Sequence, residues 1–296
     1  MKNTTYPVVL FLYQRPQATR KIIDLVIKAK IKKIYIFADG PKSSQEKIIT
    51  SQLKSLINHY IKKYPKTTFI PKFSSKNIGL KDNIINGLNY VFTKESAAII
   101  LEDDCIPSLD FFKFTSEMLT LYQNNSNIMS ITGTSINFPI KYSYDFSRFV
   151  QVWGWATWRR AWKLYDPSLS AYKKTNQPFS LSTWYWQNIF SLTKKGIIDT
   201  WCYQWTHAHI ANQGLTIIPA TNLISNVGFD RQATHTKFRS SVANMKTSQL
   251  KFPLTHPKII RENTQLSLAI ERKFYTHPVP FLGMIKILIK SFLKKL

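Results

Sequence analysis

The chain has 296 residues, of which 44% are hydrophobic and 14% aromatic, so it is long enough and apolar enough to form a globular core. This composition excludes an intrinsically disordered protein, and two cysteines are too few for a small domain held together by disulfide bonds. The 41 basic and 16 acidic residues give a formal net charge of +25, which is typical of proteins that lie beside nucleic acid, an anionic membrane or phosphorylated substrates.

Strand-like and helix-like segments alternate through the first half of the chain. Short apolar runs predict strands, and longer segments with apolar residues at helical spacing predict the helices between them. The predicted strands cover residues 7–13, 33–37, 67–73, 97–101 and 127–134, and the predicted helices cover residues 18–28, 45–63, 80–92 and 109–122. This order predicts an α/β fold with a mostly parallel, doubly wound, Rossmann-like sheet and right-handed crossovers.

The character of the sequence changes near residue 148. All eight tryptophans lie between Trp153 and Trp205, and we expect most of them to fill a core and one or two to line a cleft. Helices are predicted at residues 181–194 and 200–212, and short strands at residues 215–218 and 222–227. We therefore divide the chain into residues 1–147, residues 148–280 of the same domain, and a tail of residues 281–296.

Three consecutive acids, Glu102, Asp103 and Asp104, directly follow the predicted strand at residues 97–101. An apolar buried strand has no structural need for three carboxylates at its tip, where they repel one another. In open α/β sheets, ligands bind at the carboxyl ends of the strands. Hard oxygen ligands suit Mg²⁺ or Mn²⁺, so these acids predict a divalent-cation site at that edge of the sheet.

The sequence around the acids resembles that of a known family. Residues 101–104 (LEDD), followed by residues 107–112 (PSLDFF), resemble the EDD…DFF segment of the N-acetylglucosaminyltransferase I group. With the Rossmann-like first half, this is similar to GT-A glycosyltransferases, whose DXD-type motif holds a metal on a sugar-nucleotide diphosphate. Residues 153–162 (WGWATWRRAW), 199–201 (DTW) and 226–229 (NVGF) also resemble segments of bacterial family-2-like surface-polysaccharide transferases.

This resemblance implies a GT-A fold with a tryptophan-rich acceptor-side lobe, and a metal-dependent transferase. The enzyme would move a hexosyl or N-acetylhexosaminyl group from a nucleoside-diphosphate sugar, with a UDP-sugar favoured, to a glycan or lipid-linked acceptor. The expected cofactor is Mn²⁺ or Mg²⁺, and inversion at the sugar carbon is expected. Such an enzyme would belong to bacterial cell-surface polysaccharide or lipopolysaccharide biosynthesis.

The resemblance also implies roles for five residues of a donor site. Arg15, at the end of the first strand, would lie near the nucleotide, and Asp39, at the end of the second, would contact the base or ribose. Lys81 would lie near the phosphate or base. Asp103 would face the ribose or a metal-bound water, and Asp104 would bind the metal directly. Because the motif reads Glu-Asp-Asp rather than Asp-x-Asp, we expect a single direct carboxylate ligand.

Further candidates lie in the second half of the chain. Direct displacement needs a general base, and the candidate is Asp199, with the alternative that this residue only caps a helix; Asp230 is the second choice. His235 could supply a further metal ligand, although a lone histidine is more often a surface or core residue. His207 and His209 are two residues apart on a predicted helix and cannot share a face, so they do not predict a metal pair.

The tail at residues 281–296 predicts a basic amphipathic helix, since ten of its sixteen residues are apolar and Lys286, Lys290 and Lys294 recur every four residues. Such a helix would lie in the interface of an anionic membrane, with packing on the protein's own core as the alternative. The N-terminus has no signal-peptide pattern, and no apolar stretch is long enough to span a bilayer. We therefore expect a cytoplasmic enzyme, peripheral on the inner face of the cell membrane.

Three other classes of function compete with this interpretation. A sugar-1-phosphate nucleotidyltransferase shares a related fold but usually carries a glycine-rich loop after the first strand, whereas residues 13–16 (YQRP) contain no glycine. A nucleic-acid-binding protein would show a basic stripe with spaced aromatics, whereas the tryptophans are clustered and the acids would repel phosphate; we therefore expect no nucleic-acid partner. An inactive scaffold is disfavoured by the intact acids.

Overall fold

The computed structural model describes residues 6–173, 181–229, 242–276, 282–287 and 289. The strands are β1 (Val8–Leu12), β2 (Lys33–Ala38), β3 (Thr68–Phe73), β4 (Ala97–Glu102), β5 (Cys105–Pro107), β6 (Ile128–Thr132), β7 (Tyr144–Ser147), β8 (Trp155–Trp158), β9 (Leu215–Pro219) and β10 (Ile224–Asn226). The helices are α1 (Pro16–Lys28), α2 (Ser44–Lys63), α3 (Leu80–Lys94), α4 (Leu109–Leu121), α5 (Arg159–Trp162), α6 (Leu181–Lys194), α7 (Cys202–Ala211) and α8 (Thr264–Phe274). The predicted fold class, an α/β fold with a mostly parallel sheet flanked by helices, is confirmed.

One sheet of eight strands runs through the described residues in the order β3-β2-β1-β4-β8-β6-β9-β7. Strands β3, β2, β1 and β4 are parallel to one another, and β6 is parallel to β9. Strand β8 is antiparallel to its two neighbours, β4 and β6. Strand β7 is antiparallel to β9. The chain moves outward from β1 to β2 and β3 and then places β4 on the other side of β1. The winding therefore reverses between β1 and β4, and such a switch point opens a crevice at the carboxyl ends of the two strands.

Both faces of the inner parallel strands β1, β2 and β4 are buried. On β1, Val8, Leu10 and Leu12 pack into a core shared with α1, α2 and α4. Val9 and Phe11 pack into a second core, shared with α3, α5 and α7. Because helices cover both faces, these inner strands are mostly apolar runs, and this is why short apolar runs predict them correctly.

The tryptophan-rich block forms strand β8, at a place where the sequence predicted no element. All four residues of β8 are buried, and the fully buried ring of Trp155 stacks on Trp201 with the ring centroids 5.6 Å apart. Six of the tryptophans are at most 6% exposed, and Trp153 and Trp184 are partly exposed. The expectation that most tryptophans fill a core is confirmed.

Strand β8 belongs to the second half of the chain but lies between β4 and β6 of the first half. The sheet is therefore continuous across the boundary placed between residues 147 and 148. The division of the domain into a donor side and an acceptor side stays a prediction.

Helix α8 was not predicted either, although its beginning carries a recognisable signal. The side chain of Asn263 accepts a hydrogen bond from the Leu266 backbone N–H at 3.1 Å, as an N-cap does. Leu266 and Ile270, four residues apart, are both buried in a third core that α6 shares. One N-cap residue and two apolar residues at helical spacing were too weak a pattern to predict a helix in this polar part of the sequence.

The described part of the tail contacts this third core. Residues 282–287 are helical, and Met284 is 2% exposed among the apolar side chains of α6 and α8, with Ile287 packed beside it. Leu282 and Ile289 are 55% and 54% exposed. Part of the tail thus packs on the protein, as the alternative expected, and membrane binding by the rest stays a prediction. No described helix is long and apolar enough to cross a bilayer.

His209 ties α7 to the central sheet. Its ring is buried, with Nδ1 2.9 Å from the Trp205 carbonyl oxygen and Nε2 2.9 Å from the Ser130 hydroxyl. Because a carbonyl only accepts, Nδ1 carries the hydrogen and Nε2 accepts from Ser130. His207 instead contacts the rings of Tyr172 and Phe190. The two rings therefore have different surroundings, and the expectation that they do not form a metal pair stays a prediction.

The buried imidazole predicts acid sensitivity. Burial lowers the pKa of His209 from 6.5 to about 4, so the unfolded chain takes up a proton near pH 6.5 while the folded protein does not. Stability contributed by the neutral ring is therefore complete above pH 6.5 and is lost as the pH falls towards 4. We expect wild type to lose about 2 kcal/mol more than His209→Gln in free energy of unfolding between pH 7.5 and 5.0, measured by urea denaturation. Parallel pH profiles of the two proteins would contradict this.

Candidate active site at the carboxyl edge of the sheet

The three acids lie at the switch point between β1 and β4. Glu102 ends β4, one residue further than predicted, and Asp103 follows it. The Asp103 Oδ2 atom accepts a hydrogen bond from the Tyr13 backbone N–H, 2.7 Å away, at the end of β1. Burial and the charge of Asp104 raise the pKa of Asp103 to about 6, against the opposing effects of the Tyr13 N–H and the Arg15 charge. The structure therefore brings Asp103, Asp104 and Arg15 together.

Asp104 contacts the segment after strand β10, which comes much later in the chain. Strand β10 pairs antiparallel with β5, and beyond it the Val227 N–H donates to the Asp104 carbonyl oxygen at 2.8 Å. The Cys105 thiol donates to Asp104 Oδ1 at 3.2 Å. Gly228 lies directly over the carboxylate, because a Cβ atom on Gly228 would overlap Asp104 Oδ2.

Asn226 completes this arrangement. Its Oδ1 accepts from the Gly228 N–H at 2.7 Å, and its Nδ2 lies 3.8 Å from the Cys105 sulfur. Sequence reasoning found the segment at residues 226–229 only as a resemblance and assigned it no role. The Asn-x-Gly spacing is a signal of a tight local turn, but only the pairing of β5 with β10 shows which carboxylate that turn covers.

Glu102 lies close enough to the start of α7 for its charge to act there. Burial, followed by the charges of Asp104 and Asp103, raises the pKa of Glu102 well above its usual range. The Glu102 charge in turn contributes, after burial, to raising the pKa of the Cys202 thiol at the start of α7. The start of α7 is therefore near the acids.

The donor chemistry of this cluster fits a hard divalent cation. Crowded carboxylates whose pKa values are raised by burial and mutual repulsion gain most from a bound positive charge. Within the described ranges, no group of three or more His, Cys, Asp or Glu side chains could hold a metal ion by itself. Further ligands would come from substrate oxygens, from water or from residues outside the described ranges. His235 and Asp230 lie outside the described residues.

Asp39 organises the loop before α3. Its carboxylate is 5% exposed and accepts four hydrogen bonds. Oδ1 accepts from the N–H groups of Gly40 (2.8 Å) and Ile78 (2.9 Å), and Oδ2 accepts from Asn77 Nδ2 (2.9 Å) and the Gly79 N–H (3.0 Å). Both oxygens are thus fully used within the protein, and the expected contact with a base or ribose stays a prediction.

This network predicts a large effect of Asp39→Ala on stability. The substitution leaves four donors of the loop without their partner, and we expect a loss of about 2–3 kcal/mol in free energy of unfolding by urea denaturation. Asp82→Ala, which removes an exposed acid one turn into α3, is the matched control and should cost less than about 1 kcal/mol. Equal losses of free energy of unfolding in the two variants would mean that the hydrogen bonds of Asp39 contribute no more to stability than an exposed acid does.

Lys81 and Asp199 meet at the rim of the site. The Lys81 Nζ atom, in the first turn of α3, lies 3.6 Å from Asp199 Oδ1. The Lys81 and Asp199 side chains are 30% and 84% exposed, so the pair adds little to stability. The alternative that Asp199 caps a helix is wrong, because α7 begins only at Cys202 and the Cys202 N–H donates to Thr200 Oγ1 at 3.3 Å.

No protein-family model and no curated protein matches the chain. Among solved structures, the mannosyltransferase PcManGT from Pyrobaculum calidifontis in complex with GDP-Man and Mn²⁺ is 10% identical, with 71% of this chain and 72% of that chain covered and a TM-score of 0.37. HddC from Yersinia pseudotuberculosis is 12% identical, with 53% and 78% covered and a TM-score of 0.33. An apo UDP-glucose pyrophosphorylase is 12% identical, with 72% and 90% covered and a TM-score of 0.36. At these identities and TM-scores, the likenesses assign no activity to this chain.

Proposed function

We propose that the protein is a metal-dependent GT-A glycosyltransferase that moves a sugar from a nucleoside-diphosphate sugar to a glycan or lipid-linked acceptor. Its main support is the placement of Asp103 and Asp104 at the switch point, where Asp103 is bound to the end of β1 and Asp104 is covered by Gly228. Ligands of open α/β sheets bind at such a point. The acids therefore stand where a donor diphosphate and its cation would lie.

Each residue of the site has a role in this proposal. Asp104 would hold Mn²⁺ or Mg²⁺, and the chemistry that a bound cation supplies is neutralisation of the charge that develops on the departing diphosphate. Arg15 and Lys81 would add positive charge beside the nucleotide and phosphates, and Asp103 would face the ribose. Asp39 would shape the nucleotide side through the loop that it holds.

Asp199 would serve as the general base. The acceptor hydroxyl oxygen attacks the anomeric carbon as the bond from that carbon to the diphosphate oxygen breaks, and the hydroxyl proton passes to the Asp199 carboxylate. Attack on the face opposite the leaving group inverts the configuration. The contact with Lys81 supports this role, since it holds an exposed carboxylate next to the donor side of the site.

The proposed setting is cell-surface polysaccharide or lipopolysaccharide synthesis at the inner face of a bacterial membrane. The formal net charge of +25 suits an anionic surface, and Lys286 in the described part of the tail is exposed. His235 would be a second protein ligand of the cation.

A panel of nucleotide sugars tests the proposed function. We expect one donor to be hydrolysed or transferred only with Mn²⁺ or Mg²⁺, with free nucleoside diphosphate as product, and activity lost in excess chelator and in Asp104→Asn. Cys202→Ser, which replaces a thiol by a hydroxyl at the nearby start of α7, is the matched control and should keep the metal dependence. Full turnover in chelator would overturn the proposal. Conversion of a sugar 1-phosphate and a nucleoside triphosphate to a nucleoside-diphosphate sugar and pyrophosphate would overturn it in favour of a nucleotidyltransferase.

A further inference from the structure

Two loops at the rim of the site expose large apolar side chains to solvent. Ile78 and Leu80, before and at the start of α3, are each 41% exposed, and Ile197, before α7, is 44% exposed. The two loops meet, because the 3.6 Å contact between Lys81 and Asp199 joins them. At about 3.5 Å per residue, the Cα atom of each apolar residue lies within about 10 Å of the Cα atom of Lys81 or Asp199. The three side chains, here called the apolar rim, therefore flank one ion pair.

The space beside the glycines of these two loops is open. Gly79 and Gly196 have φ values of 85° and 69°, and a Cβ atom on either would meet no described atom within 4 Å. These glycines satisfy the backbone conformation and do not make room for a neighbouring part of the described chain. Apolar side chains grouped in this way mark a surface that receives a partner.

The charges around the rim indicate the partner. Lys76 precedes the first loop and Lys195 precedes the second, both exposed, and neither forms an ion pair with the described residues. The acids nearby are Asp82, the paired Asp199 and Asp39, which is 5% exposed and bonded to the N–H groups of Ile78 and Gly79. Apolar side chains beside unpaired lysines suit the interface of an anionic bilayer, where the apolar groups enter the acyl boundary and the ammonium groups meet lipid phosphates.

We infer that the apolar rim docks the catalytic edge of the sheet on an anionic membrane and that the acceptor is lipid-linked. The second part rests on the proposed function, because it needs Asp199 to be the group that receives the acceptor hydroxyl. A water-soluble glycan has no use for exposed isoleucine and leucine at the entrance to the site. An acceptor embedded in the bilayer requires the entrance itself to face the lipid.

A second exposed apolar group serves as a matched control. Leu121, Ile259 and Ile260 are 51%, 63% and 40% exposed beside the basic residues Lys258 and Arg261. They lie by the end of α4 and the turn before β6, at the edge of the sheet opposite the acids. This group has the same composition as the apolar rim, one leucine and two isoleucines, and comparable exposure.

The test compares two triple variants of the full chain, with the tail retained. Ile78→Ser, Leu80→Ser and Ile197→Ser are combined in one protein, and Leu121→Ser, Ile259→Ser and Ile260→Ser in the other. Co-sedimentation with phosphatidylcholine vesicles containing phosphatidylglycerol should show at least a tenfold weaker partition of the rim variant and less than a twofold change in the control. Thermal unfolding of both variants checks that they fold.

Three results would overturn the inference: wild type that does not bind these vesicles, a rim variant that binds as wild type does, or a control variant that loses binding equally. For the acceptor, transfer to a lipid-linked glycan should exceed transfer to the same glycan without its lipid, and equal rates would overturn that part. Hydrolysis of the donor is a separate readout. If wild type hydrolyses no donor but binds vesicles through the rim, the proposed function fails and the docking surface stands.

Discussion

Replacing Gly228 by alanine is expected to lower metal-dependent turnover at least a hundredfold while the fold survives. The new Cβ atom would overlap Asp104 Oδ2, so either the carboxylate or the segment after β10 must move. The Gly228 N–H is also fixed by Asn226 Oδ1 at 2.7 Å, which limits how far that segment can retreat. A displacement of about 1 Å in a group that orients the reacting centre costs about a hundredfold in rate.

The effect should appear first in the cation requirement. We expect Gly228→Ala to need much more Mn²⁺ for half-maximal rate, and to lose the rise in melting temperature that saturating Mn²⁺ produces in wild type. Gly283→Ala is the control, since a Cβ atom there meets nothing within 4 Å. An unchanged Mn²⁺ titration in Gly228→Ala would show that the segment after β10 does not set the position of the Asp104 carboxylate.

Asp199→Asn is expected to lower kcat by about 10²–10⁴ with little change in the KM for the donor, because the amide cannot accept the acceptor's proton. The side chain is 84% exposed and its contact with Lys81 is 3.6 Å long, so removal of its charge should change stability by less than about 1 kcal/mol. A loss of activity could then not be attributed to unfolding.

Asp82→Asn provides the comparison, since it removes another exposed carboxylate from the same rim. Steady-state rates with saturating donor and acceptor should fall for Asp199→Asn and stay within about twofold for Asp82→Asn, as expected of a surface substitution. Similar rates in the two variants would rule out Asp199 as the base and make Asp230 the next residue to substitute.

The first half of the fold was predictable because its signals are local. Strands β1 to β4 and helices α1 to α4 occur within a few residues of the positions that apolar runs and helical spacing predicted. Strand β8 was not predictable in the same way. Its residues Trp155–Trp158 form a strand because β4 and β6 leave an antiparallel position between them, and that position exists only after the sheet has assembled.

The candidate site was likewise predictable only where its signals are local. The order of strands and the three acids after β4 were enough to place these acids at the carboxyl edge of the sheet, because carboxyl ends of parallel strands meet at one edge whatever else the chain does. Sequence alone did not show that the Asp39 carboxylate accepts hydrogen bonds from residues 77–79, or that Asp199 does not cap α7. The first depends on contacts between segments that are remote along the chain, and the second depends on the residue at which α7 begins.

By itself, then, the sequence determined the α/β class, the parallel half of the sheet and the cluster of acids, since periodicity, burial on two faces and like-charge repulsion are properties of neighbouring residues. Only the tertiary structure decided that Gly228 covers Asp104 and that Lys81 meets Asp199. Each of these contacts joins residues more than a hundred positions apart, and the closure of such long loops depends on the packing of the whole domain rather than on local preference.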